Sequence, residues 1–286
     1  MKSILLTPRD LSLLIGVYRH GFLLRDHAWK LYFSGCELRR ATRRFLALKE
    51  HQLLEASPLP LGAFAFGIQD ALPGLGQFSY RLGAEGIPLV AQALGVDAAS
   101  IRKRLRNSPS FTGHAVAVAS LHEAIHRLQD EGGYRLTQFL TEGEARQSFE
   151  WRTSSTSEWK RAEVRPDGLA WIERDGLAIP YLIEADLAHQ SKAAIATKLA
   201  GYALWIKTPI FKERFDGAPL RLLIVTLSKE RLTVLYDLVC ESELSGCPGI
   251  ALTTFRDFIS QGPMNPIWLV PASGTERNHL HALPLL

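Results

Sequence analysis

Apolar residues recur every three or four positions through the first fifty residues, and extended apolar runs follow. Thr7 precedes Pro8, a capping residue with proline at the first helical position, and Leu11, Leu14, Ile15 and Tyr18 then keep helical spacing up to Gly21. A second, shorter helix is predicted over Arg25 to Phe33, with Ala28, Leu31 and Tyr32 inward. After a Ser34-Gly35 turn, a third runs from Glu37 to Glu50, its buried stripe being Leu38, Ala41, Phe45 and Leu48. The period then shortens. HQLLEA, LGAFAFGIQ and QFSYRL read as strands, the last two joined by the loop DALPGLG. Three short helices followed by a hairpin predict a winged helix-turn-helix over residues 1–84.

Residues 85–112 read as a helical, basic linker, broken at Gly95–Asp97 and carrying the run IRKRLR. Asn, Ser, Pro and Gly cluster near Asn107–Gly113, where a boundary is expected. Residues 113–286 alternate helical and strand patterns. A helix ending at Gly132-Gly133 precedes the strand YRLTQFLTE, and the polar stretch RTSSTSEWKR reads as a loop. VRPDGLAWIE and the strongly apolar LAIPYLIEAD form a hairpin turning at Arg174-Asp175-Gly176, with the second strand central. The helix SKAAIATKLAGYALWIK, the buried strand RLLIVTLS, the helix KERLTVLYDLVCE and the late strands IALTTF and PIWLVP complete an α/β domain with a mixed sheet.

Composition narrows the setting. Apolar residues make up 47% of 286, enough for substantial cores, and no apolar run approaches the ~18 residues of a membrane span. The N-terminal sequence lacks a signal-peptide pattern, and the three scattered cysteines form no disulfide framework, so a reducing cytoplasm is expected. The net charge of +4 is unevenly placed, with the basic surplus in the first third and an acidic surplus after residue 110. Within that third, Arg39, Arg40, Arg43 and Arg44 flank the apolar stripe of the third helix, and Lys49 follows. On a recognition helix they would clasp phosphates of double-stranded DNA or read guanine edges. The competing reading is a winged helix that makes a homodimer, its arginines merely solvated.

The chemistry concentrates in Arg165–Tyr202. Asp167 opens one strand of the hairpin, Glu184 and Asp186 close the other, and Lys198 lies on the next helix. This is the outline of a PD-(D/E)xK nuclease core. Phosphodiester hydrolysis is served by a hard cation that polarises the phosphoryl oxygen and activates water, and Mg2+ held by Asp167 and Glu184 would suit it. The residue two after the glutamate is normally a lysine that positions the water; here it is Asp186, with Lys198 placed to reach back. Gln190 and His189 are ancillary candidates. The alternative is a structural network in which the buried acids pair with Lys198 or an arginine. His122 and His126, with Glu123 between them in an HExxH pattern, are read as solvent-facing or capping histidines rather than a zinc site, and no GxGxxG, GxxxxGK[ST] or GxSxG is present.

Two groups of motifs, LTPRDLSLLIGVYRHGFLLRDHAWKLYF with LRRATRRFLAL, and RPDGLAWIE, IPYLIEADLAHQS and KLAGY, together resemble the replication-relaxation family of plasmids and integrative elements. The resemblance spans roughly residues 5 to 205. It implies a winged helix, association with DNA, and a role in plasmid replication or mobilisation through DNA relaxation. It also implies a PD-(D/E)xK-like second half in which an Asp two after the Glu is usual, and partners among replication or mobilisation proteins. Three readings stand at this point: a DNA-binding protein of a mobile element, a metal-dependent nuclease or nickase, and a transcriptional regulator whose nuclease-like domain only dimerises.

Overall fold

The computed structural model describes residues 4–58, 78–105, 112–130, 133–152 and 158–271. The predicted strand LGAFAFGIQ, the loop after it and all but the last two residues of the expected boundary at Asn107–Gly113 lie outside these residues. The chain divides into two compact units, Met1–Glu123 and Ala124–Leu286. The fold is mixed α/β.

In the first unit, α1 (Pro8–His20), α2 (Arg25–Tyr32) and α3 (Leu38–Glu50) are followed by α4 (Gly86–Leu94), α5 (Ala98–Leu105) and most of α6 (Thr112–His126). Leu13, Leu14, Val17, Ala28, Phe45 and Leu48 are fully buried in one core. Burying each leucine- or phenylalanine-sized side chain contributes about 1.5–3 kcal/mol. Gly16 lets α2 approach α1 closely: a Cβ there would sit 1.9 Å from the Tyr32 hydroxyl. Three strands, β1 (Leu23–Leu24), β2 (Leu54–Pro58) and β3 (Phe78–Leu82), form an antiparallel sheet in the order β1-β3-β2. QFSYRL therefore pairs with both Leu54–Pro58 and Leu23–Leu24.

The second unit is built on a five-stranded sheet. Its strands are β4 (Tyr134–Thr141), β7 (Gly168–Arg174), β8 (Leu177–Asp186), β9 (Leu222–Thr226) and β10 (Ile250–Thr254), in the order β10-β9-β8-β7-β4. The apolar strand β8 is central. It runs parallel to β9 and antiparallel to β7, so the sheet is mixed. Asp175 and Gly176, at φ 52° and 81°, make the two-residue β7–β8 turn, a conformation asparagine, aspartate and glycine tolerate best. PIWLVP contributes a single bridge, Leu269 to Leu252. The stretch read as a polar loop, residues 152–161, runs into a strand at its end: Lys160 and Arg161 belong to β6 (Lys160–Val164), which pairs with β5 (Gln147–Trp151) in a separate two-stranded sheet after the short α7 (Glu142–Ala145). The helices α8 (Lys192–Trp205), α9 (Pro209–Arg214), α10 (Lys229–Cys240) and α11 (Phe255–Gln261) complete the unit. No described helix is long and apolar enough to cross a membrane.

Candidate functional site

Helix α3 buries Ala41, Phe45 and Leu48. At about 100° per residue, Arg39 and Arg43 point away from that stripe and Arg44 stands at its edge. The structure follows this geometry: Arg39, Arg40, Arg43 and Lys49 are exposed, while Arg44 turns inward. Arg44 Nε and Nη2 donate to the two carboxylate oxygens of Asp10 at 2.9 and 2.6 Å, and Nη2 also donates to the Leu5 carbonyl at 2.7 Å.

Asp10 is fully buried. Thr7 donates to it from its amide and its hydroxyl, both at 2.7 Å, closing the capping box at the start of α1. Burial works to raise the pKa of Asp10, but hydrogen bonds from Arg44 and Thr7 outweigh it and hold the carboxyl below its usual range. Of the four arginines, Arg44 is thus committed to the fold. Among the described residues Arg39, Arg40 and Arg43 carry no ion pair. Arg39 and Arg40 sit in the first turn of α3, which has no acidic residue. The partial positive charge of a helix N-terminus opposes cations there, so helix stability does not account for them.

A second concentration of charge lies on one face of β8. Glu184 and Asp186, two residues apart, share that face. Glu184 is 6% exposed and touches two side chains one turn apart on α8: Lys198 Nζ donates to Oε2 and the Tyr202 hydroxyl to Oε1. Burial pushes Glu184 up to about 8 even though Lys198 pulls it down. Burial likewise disfavours the Lys198 ammonium, but the charges of Glu184 and Asp167 outweigh it and hold its pKa above the ordinary lysine value. Burial and the Glu184 charge raise Tyr202 well above a free phenol.

Asp167 precedes β7 and is also buried. Its Oδ2 accepts the Ala185 amide at 2.8 Å, tying the start of β7 to the end of β8. The structure therefore gathers Asp167, Glu184 and Lys198. Asp186 has other company. Arg231 of α10 donates to Oδ2 at 2.8 Å and to Oδ1 at 3.0 Å, and the Thr226 hydroxyl adds 2.8 Å to Oδ2. Arg231 also donates to the Gln190 carbonyl, while His189 is exposed.

A magnesium ion needs carboxylate oxygens with lone pairs to spare. Both oxygens of Glu184 and both of Asp186 accept from protonated donors of the chain. Among the described residues no group of three His, Cys, Asp or Glu side chains is arranged to hold a metal. As built, Glu184 and Asp186 meet an ammonium, a phenol and a guanidinium.

Arg231 and Asp10 complete these sites without having been singled out in the sequence, whereas Tyr202 closes the KLAGY motif of the family resemblance. Tyr202 has a local signal, its position four residues after Lys198 on the same helix face. Arg231 has none, since its partner lies 45 residues away, and the local Thr7-x-x-Asp10 capping pattern does not reveal an arginine 34 residues further on.

A family model described as replication-relaxation matches residues 14–220, spanning both the arginine helix and the acidic cluster. No curated protein and no solved structure matches the chain.

Proposed function

This chain belongs to the replication-relaxation family, and from that premise we propose that it binds the double-stranded DNA of a plasmid or other mobile element through helix α3. With the family goes a role in the replication or relaxation of mobile elements. One observation carries the finer reading: Arg39, Arg40 and Arg43 are exposed, without acid partners, at and just beyond the positive end of a helix whose other face is packed. Such an end attracts phosphate. We read α1–α3 with the β1-β3-β2 sheet as a winged helix, in which α3 lies in the major groove and β2–β3 forms the wing.

The second unit is read as a nuclease-like fold that serves as a scaffold or a partner-contacting body. What supports this is the closure of its acids by Lys198, Tyr202 and Arg231. Neutralised in this way, they present little negative charge to a passing phosphate.

The test is a salt titration of duplex binding. Each lost phosphate contact lowers the slope of log K against log[salt] by about 0.9. Arg40→Ala with Arg43→Ala lowers it by about 2 and weakens binding at low salt more than tenfold. An unchanged slope removes α3 from the interface. Nicking of supercoiled plasmid with magnesium or manganese, abolished by Glu184→Gln, would replace the scaffold reading with that of a nuclease.

A further inference from the structure

Strands β5 and β6 pair only with each other. In an antiparallel pair, directly opposed residues share a face. Phe149 opposite Ala162 forms the inner face: Phe149 is buried, and Ala162 packs with it in the core. Trp151 also packs partly there, and the Lys160 ammonium opposite it lies 5.6 Å from its ring centroid.

The other face carries Glu150 opposite Arg161. One step further along the same alternation come Arg152 and Trp159. Trp159 is 59% exposed, and the Arg152 guanidinium carbon lies 4.5 Å from the centre of its ring. Glu163, nearer the base of the hairpin, is already answered by Arg146 and Arg165. An exposed indole is thus held against Arg152 on the face that carries Arg161 and Glu150, while Lys160 lies on the other face over Trp151. Its close contact is a guanidinium rather than the apolar ring that surrounds a tryptophan anchor in a protein interface.

We propose that this end of the hairpin is a stacking platform for single-stranded DNA. Trp159 takes a base on its free area, and Arg152 and Arg161 meet the flanking phosphates. A flat aromatic beside positive charge is how unpaired strands are held without sequence preference. The inference rests on the reading that this protein acts on DNA, yet it uses different residues from those proposed for duplex binding.

The two separate in one experiment on the full chain, with a labelled oligothymidylate of about 15 nucleotides and a duplex measured side by side by anisotropy. Trp159→Ala weakens single-strand binding about tenfold, Trp159→Phe by less than about threefold, and neither changes duplex binding. Arg40→Ala with Arg43→Ala does the reverse. Unlabelled oligothymidylate quenches the tryptophan fluorescence of the wild type, and Trp159→Phe removes most of that quenching. Equal single-strand affinity of wild type and Trp159→Ala overturns the proposal, as does the absence of single-strand binding by the wild type. Tighter binding of oligouridylate than of oligothymidylate overturns the assignment to DNA. Single-strand binding by a wild type that does not bind the duplex leaves this site standing and removes the α3 reading.

Discussion

Replacing Arg44 by alanine separates its structural role from the DNA contacts proposed for its neighbours. The substitution removes two charge-assisted hydrogen bonds to Asp10 and one to the Leu5 carbonyl. Leaving a buried charge without its partner costs about 3–5 kcal/mol. That range is an upper bound here, because the Arg44 side chain is 28% exposed and Asp10 keeps both donors from Thr7. A loss of about 2–3 kcal/mol remains, enough to lower the melting temperature of a unit this size by roughly 10 °C. Arg43→Ala, on the solvated face, changes stability by less than about 0.5 kcal/mol.

The pH dependence is more diagnostic. In the wild type Asp10 has a lowered pKa, so its contribution is present above the unfolded value of 3.8 and is lost as pH falls through the folded value. Without Arg44 the burial of Asp10 is less opposed, its carboxyl rises, and protonation relieves the unpaired charge. The stability difference between wild type and Arg44→Ala therefore shrinks between pH 7 and about pH 3. Urea unfolding of the full chain, with amide exchange read on peptides from α1 and α3, measures it. A difference below about 0.5 kcal/mol at pH 7, or one equal at both pH values, would refute the buried pair.

Three other buried residues give opposite pH signatures in the two units. Burial pushes His20 and His27 down to about 3, with nearby positive charge adding to it, so the stability they allow falls as pH drops from 6.5 toward 3. His27→Gln, which still reaches Ser120, should flatten that acid loss in amide exchange of the first unit; an unchanged profile sinks the prediction. Glu184 is raised to about 8 from 4.5, so its contribution is complete below pH 4.5 and lost as pH rises through 8. Removing Lys198 drives the acid further toward its neutral form, so Lys198→Met should cost less than about 2 kcal/mol, while Glu184→Ala, which strands Lys198 and Tyr202, costs about 2–4 kcal/mol. Equal losses in denaturant unfolding of the second unit would contradict this ordering.

The residues that could be read in the sequence are those whose partners are close along the chain. The stripe Ala41, Phe45, Leu48 places α3, and Asp175-Gly176 places the β7–β8 turn, because both depend on spacing within a few residues. The apolar run of β8 announces a strand covered on both sides. The pairing of β3 with β1 and β2 depends instead on segments 57 and 28 residues apart at Leu23–Tyr80 and Leu54–Leu82, and no local pattern encodes it. The β5–β6 hairpin escapes notice because only Phe149 and Val164 among its ten paired residues are buried, so its alternation is too weak to stand out from a polar loop. Within the acidic cluster, the sequence displays the carboxylates and leaves their partners undecided. Lysine 198 was legible from helical reach, whereas Arg231 arrives from a helix beyond β9.

The interval between Glu184 and Asp186 has a geometric consequence. Two residues along a strand advance about 7 Å. Glu184 grips α8 through Lys198 and Tyr202, and Asp186 grips α10 through Arg231. Helices packed side by side stand about 8–10 Å apart. The pair of acids therefore acts as a gauge, its pitch close to the separation that the two covering helices require. Moving either carboxylate by one residue would aim it through the sheet to the opposite face, and one helix would lose its anchor. A sequence of the form Glu-x-Asp can thus persist because it sets a distance, whether or not any phosphate is ever cut.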